Sequence, residues 1–176
     1  MGPSVHLVQY PLRSGSLYNQ VAVFRSPGFA AGEDNWGGPH ELEGMFASTC
    51  TPVRSALPGL GKQRWWTMAD REPIPVWTKG RIALLGDAAH PMLQYLAQGA
   101  CQAIEDAVTF AYALDAVSVP RASSGDWATA LEQYASHRTE RTARVQRSAR
   151  IWGRDVARRR SRRAPARRGV PQPAGG

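Results

Sequence analysis

The stretch GRIALLGDAAHPMLQYLAQGACQAIEDA, running from Gly80 to Ala107, decides how this chain folds. Its apolar run, Arg81 to Leu85 with a basic lead-in, has the length and composition of a strand buried on both faces. The run stops at Gly86 and Asp87, a turn follows, and a helix opening on the small residues Gly99 and Ala100 continues to Val117. This order puts Gly86 and Asp87 at the carboxyl end of a strand, where open α/β sheets bind their ligands. Gly86 lets the backbone come close with no Cβ in the way. An ionised Asp87 only accepts hydrogen bonds, so sugar-like hydroxyls are its natural partners. The first amides of the helix at Gly99 and Ala100 lack internal acceptors and, with the helix dipole, favour an anionic group.

Outward from this stretch, HLVQYPLRSGSLYNQVAVFRS reads as a hairpin, two Val/Leu/Tyr-rich runs around the turn-forming RSGS. A Gly-rich connector, SPGFAAGEDNWGG, leads into PHELEGMFAS, a short helix with Pro39 at an early position. Arg64 to Val76 reads as irregular strand or loop. Asp126 to Gly153 forms a second long helix, with Asp126 as its N-cap and Trp127, Leu131, Tyr134 and Val145 at helical spacing.

The net charge of +8 over 176 residues is localised. Arg154 to Gly176 carries eight arginines and one aspartate, whereas Met1 to Gly153 is nearly neutral at +1. The segment from Arg154 has no apolar periodicity and reads as a disordered Arg-rich tail. Cys50 and Cys101 show no disulfide framework or metal-ligand spacing, so reduced thiols and a cytoplasmic location are expected. No leader, membrane span or internal repeat is evident. Of the remaining chemical groups, His90 reads as a structural hydrogen-bonding residue, and Trp65 and Trp66 as core or interface aromatics. Cys101 reads as a small packing residue. The pair Glu105 and Asp106 supplies favourable charge near a helix start and, on a regular helix, faces away from a ligand at the helix mouth.

GRIALLGDAAHPMLQYLAQGACQAIEDA resembles the second FAD-binding motif of the class A flavoprotein aromatic monooxygenases, especially the branch acting on 3-hydroxybenzoate and salicylate. The likeness also covers the opening hairpin and WWTMADREPIPVW, from about Val5 to Trp152. It implies hydroxylation of a phenolic acid by O2 with FAD as cofactor and NADH or NADPH as electron donor. In this resemblance Gly86 and Asp87 meet the FAD chain, with Asp87 on ribityl or ribose hydroxyls, and Pro91, Gly99 and Ala100 line the isoalloxazine. His6, Tyr10 and Gln94 match the substrate site, where a histidine suits removal of the phenol proton near neutral pH. Strand alternation places His6, Val8 and Tyr10 on one face.

The chain also departs from that family. No G-x-G-x-x-G occurs in it, and the mid-region Asp-Gly motif linked to NADH is missing. The expectation is therefore an α/β chain, an α+β remnant. It holds part of a substrate-domain sheet (1–78), then one strand of the FAD-binding sheet with its helix and the C-terminal helices (79–153), and the tail (154–176). It lacks the N-terminal βαβ unit and is inactive alone, calling for a missing N-terminal half. A homodimer is compatible with this reading. The tail, beginning where the resemblance stops, has the composition of a GC-rich gene read in a shifted frame. Two competing readings are a nucleic-acid-binding protein using RRRSRRAPARR, without sequence-specific contacts, and a non-functional gene remnant.

Overall fold

A computed structural model describes residues 4–61, 65–117 and 124–158, which fall into two compact units, one within residues 1–65 and one spanning 66–154. The expected tail beyond Arg158 lies outside the described residues.

In the first unit the hairpin is present. β1 (Val5–Leu12) pairs antiparallel with β2 (Leu17–Phe24), with Val5 opposite Phe24 and Leu12 opposite Leu17. Arg13, Ser14 and Gly15 turn the chain with φ of 48°, 54° and 92°, and the Ser16 hydroxyl donates to the Arg13 carbonyl at 2.9 Å. Period-two alternation sends Val5 and Leu7, with Ala22 and Phe24, against Leu42, Phe46 and Leu57. Those partners come from α2 (Pro39–Phe46) and from the single 3₁₀ turn that follows α3 (Thr51–Ala56).

The Gly-rich connector contains a further short helix, α1 (Pro27–Ala31), and is organised by one carboxylate. Glu41 accepts from the Gly28 amide at 2.8 Å, the Ser26 hydroxyl at 2.7 Å and the Gly37 amide at 2.5 Å. These donors, Gly28 foremost, hold its carboxyl below the usual range. Gly37 has φ of 75°, and a Cβ there would meet Trp65 Cδ1 at 2.6 Å, so a side chain is excluded twice over. Trp65 thus lies over a glycine and is partly exposed, and Trp66 is 77% exposed; of the two roles expected from sequence, core or interface aromatic, neither residue takes the core one.

In the second unit β3 (Thr78–Lys79) and β4 (Ile82–Ala83) form a two-residue antiparallel ladder, extended by the Leu84 amide donating to the Trp77 carbonyl at 2.9 Å. The expected strand buried on both faces is therefore shorter, and Ile82 is 67% exposed. Its apolar run suits a strand with neighbours on both edges, and among the described residues this one pairs with a single neighbour.

Two helices complete the unit, α4 (Gly99–Asp115) and α5 (Ser124–Arg158). The second begins before Asp126, which sits in the first turn rather than at the cap, and its backbone continues past Gly153. Trp77, Ala89, Ala113, Ala130 and Tyr134 form the core, with Leu84, Leu85, Phe110 and Leu114 packed around them. No helix among the described residues is long and apolar enough to cross a membrane. Mixed helices with small antiparallel sheets agree with the α+β remnant expected from the sequence.

Tyr134 is fully buried, and its hydroxyl donates to the Leu84 carbonyl at 2.9 Å, tying α5 to the strand end. Tyr134→Phe keeps the ring and leaves that carbonyl without its donor. The variant should lose about 1–2 kcal/mol, seen as a lower urea midpoint at an unchanged denaturant slope.

Candidate functional site

The turn after β4 is the centre of the site. Gly86 adopts φ of 55°, and a Cβ there would stand 3.4 Å from that of Ala103 on α4, so the left-handed backbone rather than crowding demands glycine. Gly86 to Ala88 form a 3₁₀ turn, closed by the amides of Ala89 and His90 donating to the Gly86 carbonyl at 2.9 and 2.8 Å. Asp87 and Ala88 are exposed on this turn, whereas Ala89 and His90 are buried beneath it.

What holds the turn comes from three directions within the unit. From α4, fully buried Asp106 accepts the Gly86 amide at 2.8 Å and His90 Nε2 at 2.6 Å on one oxygen, and Arg138 Nε at 2.7 Å on the other. From the irregular segment before β3, Arg71 donates to the Ala88 and Ala89 carbonyls, both at 2.7 Å. From α5, Gln146 donates to the Pro91 carbonyl at 3.0 Å.

Arg138 is the hub on α5. Besides Asp106, it donates to Glu105 at 2.5 Å, to the Gln102 side-chain oxygen at 2.9 Å and to the Gln102 carbonyl at 3.1 Å. Arg141 adds two bonds to Glu105, at 2.5 and 2.7 Å. Arg141 and Arg138 hold the Glu105 carboxyl at about 2 against a smaller opposing effect of burial. Burial pushes the Asp106 carboxyl up, but the bonds from His90, Arg138 and Gly86 outweigh it and leave it below the ordinary value.

The expectation that Glu105 and Asp106 merely place charge near a helix start is thereby corrected: they form a buried and half-buried ion-pair network between helices. His90 is the structural hydrogen-bonding residue expected from sequence, and Cys101, expected to be a packing residue, is exposed instead.

Before α4 the chain makes a 3₁₀ turn, Gln94–Leu96, and Ala97 takes a left-handed φ of 51° that L residues seldom adopt. Gln94 and Ala100 are exposed, while Pro91 and Gly99 are half-buried. The first internal amide bond of α4 is Gln102 to the Gln98 carbonyl at 2.9 Å. Small residues thus surround a helix mouth whose first amides face outward from the helix ladder. In the first unit, His6 stands opposite Val23 and Tyr10 opposite Asn19, on the hairpin face turned away from the core. His6 is half-buried, and burial lowers its pKa, while Tyr10 is exposed.

The polar residues that hold the turn were missed in the sequence reading, although a signal was there. On α5 the buried stripe runs Ala130, Tyr134, Arg138, Thr142, Gln146, Ala149, so polar groups occupy core spacing midway along the helix. Such a switch marks buried polar backbone needing partners.

Comparison with known proteins identifies the family. A family profile described as an FAD binding domain matches residues 49–149, and the chain belongs to that family. It is 47% identical to 3-hydroxybenzoate 6-hydroxylase 2 of Aquipseudomonas alcaligenes, over 88% of this chain and 46% of that protein. Identity to 3-amino-4-hydroxybenzoate 2-monooxygenase of Streptomyces cremeus is 39%, over 85% of this chain and 36% of that protein. Among solved structures, Klebsiella pneumoniae HpxO complexed with FAD and uric acid superposes with a TM-score of 0.69 at 27% identity, over 86% of this chain and 37% of that one. The chain therefore spans less than half the length of these relatives. The resemblance to flavoprotein aromatic hydroxylases is borne out at the level of family.

Arg138→Met leaves Asp106 a buried, uncompensated charge and should cost about 3–5 kcal/mol by chemical denaturation. Because Glu105 and Asp106 are both depressed, the native chain keeps their contribution above the unfolded carboxylate range near 4, and loses it as pH falls toward 2. A pH series of unfolding midpoints in native and variant chains checks both, with a shallower acid loss in the variant. Separately, Ala97→Gly relieves the left-handed strain and should raise stability by about 1 kcal/mol.

Proposed function

We propose that this chain is the C-terminal part of an FAD-dependent monooxygenase that hydroxylates a phenolic acid of the 3-hydroxybenzoate or salicylate type, using NADH or NADPH and O2. The observation that carries the reading is the Gly86–Asp87 turn at a strand end, held from behind, with its one carboxylate exposed beside a helix mouth of small residues. These residues fit FAD: an acceptor for ribityl or ribose hydroxyls, a glycine in the left-handed conformation, and unpaired helix amides suited to the electron-rich pyrimidine edge.

Asp87 and Gly86 would hold the chain of the cofactor, and Pro91, Gly99 and Ala100 would border its ring. FAD so bound supplies the electrons from NAD(P)H and the transfer of one oxygen atom from O2. This chain's own groups prepare the substrate. His6, whose burial favours the neutral ring, accepts the phenol proton and so raises electron density on the aromatic ring. Tyr10 and Gln94 bind the hydroxyl or carboxylate of the acid. The relatives named for hydroxybenzoate and aminohydroxybenzoate support this substrate class.

The chain spans 46% of 3-hydroxybenzoate 6-hydroxylase 2, so tight FAD binding is expected when the N-terminal segment of that relative is supplied. Flavin fluorescence titration checks this: complemented chain should quench FAD, and Asp87→Ala should raise the Kd about tenfold or more, since it removes charge-assisted hydrogen bonds. Equal binding by the Asp87→Ala variant would remove Asp87 from the site.

A further inference from the structure

We propose that Asp106 is a positioning residue for the cofactor, setting through the Gly86 amide and His90 the backbone conformation at which Gly86 and Asp87 meet FAD. This rests on the flavoprotein reading above. Asp106 lies twenty residues from Gly86 on another element and is fully buried, so it touches no bound ligand itself. Three N–H groups converge on its two oxygens: Gly86 N and His90 Nε2 on one, Arg138 Nε on the other. His90 is fully buried, and its Nδ1 is buried without a hydrogen-bond partner. An N–H placed there would have no acceptor, so the ring proton sits on Nε2 and points at Asp106.

The consequence is directional. Gly86 holds a φ of 55° at the point where the strand gives way to the turn. Glycine is free to leave that conformation at little cost, so the residue alone does not keep Asp87 aimed. The Gly86 amide bond to Asp106 fixes one end of the 3₁₀ turn, and the His90 bond fixes the other, with Asp87 between them. Arg138 holds the far oxygen and so fixes the carboxylate plane. A carboxylate is required because it alone offers two acceptor atoms and no donor.

Asp106→Asn tests this with a side chain of the same shape. Asparagine has one oxygen, so whichever way its amide turns, its NH2 group meets a donor, either Arg138 Nε or the Gly86 and His90 pair. A matched control, Glu132→Gly with Arg147→Gly at two exposed positions of α5, destabilises the helix by about 1–2 kcal/mol through lost helix propensity and leaves the turn's hydrogen bonds in place. Each full chain is complemented as above and titrated with FAD well below its unfolding temperature.

The expected result is that Asp106→Asn raises the Kd for FAD about tenfold or more, and that visible circular dichroism of bound flavin at saturation differs from native. Amide exchange across Gly86–His90 in the flavin-free chain should quicken in Asp106→Asn relative to the rest of the unit. The control should lose stability yet keep native Kd and native flavin spectrum, which separates positioning from general loosening. Native affinity and native spectrum in Asp106→Asn would overturn the proposal and leave the flavoprotein reading standing. Failure of the native complemented chain to bind FAD would instead overturn that reading, and the proposal with it.

Discussion

The carboxylate of Asp106 is the constraint on which the second unit depends. It joins the backbone of the strand-end turn at Gly86, the imidazole of His90 and the guanidinium of Arg138 on α5. Removing the carboxylate takes the shared acceptor from the Gly86 amide, His90 Nε2 and Arg138 Nε at once, so these parts are coupled through Asp106. The arrangement makes α4 and α5 the rear wall of the turn, and the turn's exposed residues Asp87 and Ala88 its front.

The same division of labour extends along the loop. Carbonyls of Ala88, Ala89 and Pro91 point back toward Arg71 and Gln146, while the side chain at Asp87 points out. Irregular backbone beneath a surface needs a partner for each polar group, and here long side chains reach in from other elements to supply them. Arg150 repeats the device one turn further along α5, pairing with Asp70 at 2.7 Å and with Glu72. The helix thus secures both the turn and the segment carrying Arg71.

Much of this was legible in the sequence where periodicity or turn chemistry was strong. The hairpin around RSGS, the helix at Pro39 and both long helices are present where expected, with the ends of the last one displaced, because alternating and helical apolar patterns report local geometry directly. The resemblance of Gly80–Ala107 to a flavin motif pointed to the family that the comparisons bear out. Two readings failed for one reason: they inferred burial from residue type. Cys101 and Ile82 are small or apolar, and each is exposed because solvent access is set by which elements pack together, a long-range property. Asp106 failed in the opposite sense. An acidic residue near a helix start has a sufficient local explanation, and nothing local announces that a distant arginine, histidine and backbone amide will close around it.

Why the unit buries an ion-pair network at all follows from the turn it supports. Well-packed apolar residues in place of a buried ion pair are often as stable or more so, so Asp106 and Arg138 need not be there for stability alone. An apolar residue at 106 could fill the space but could not accept from the Gly86 amide or from His90, and each orphaned donor would cost about 1–3 kcal/mol. The left-handed glycine would then be free to relax, and the turn would lose its single conformation. The network is therefore best understood as specifying one backbone geometry under the exposed Asp87, at a cost in desolvation that Arg138, Glu105 and Gln102 share between them.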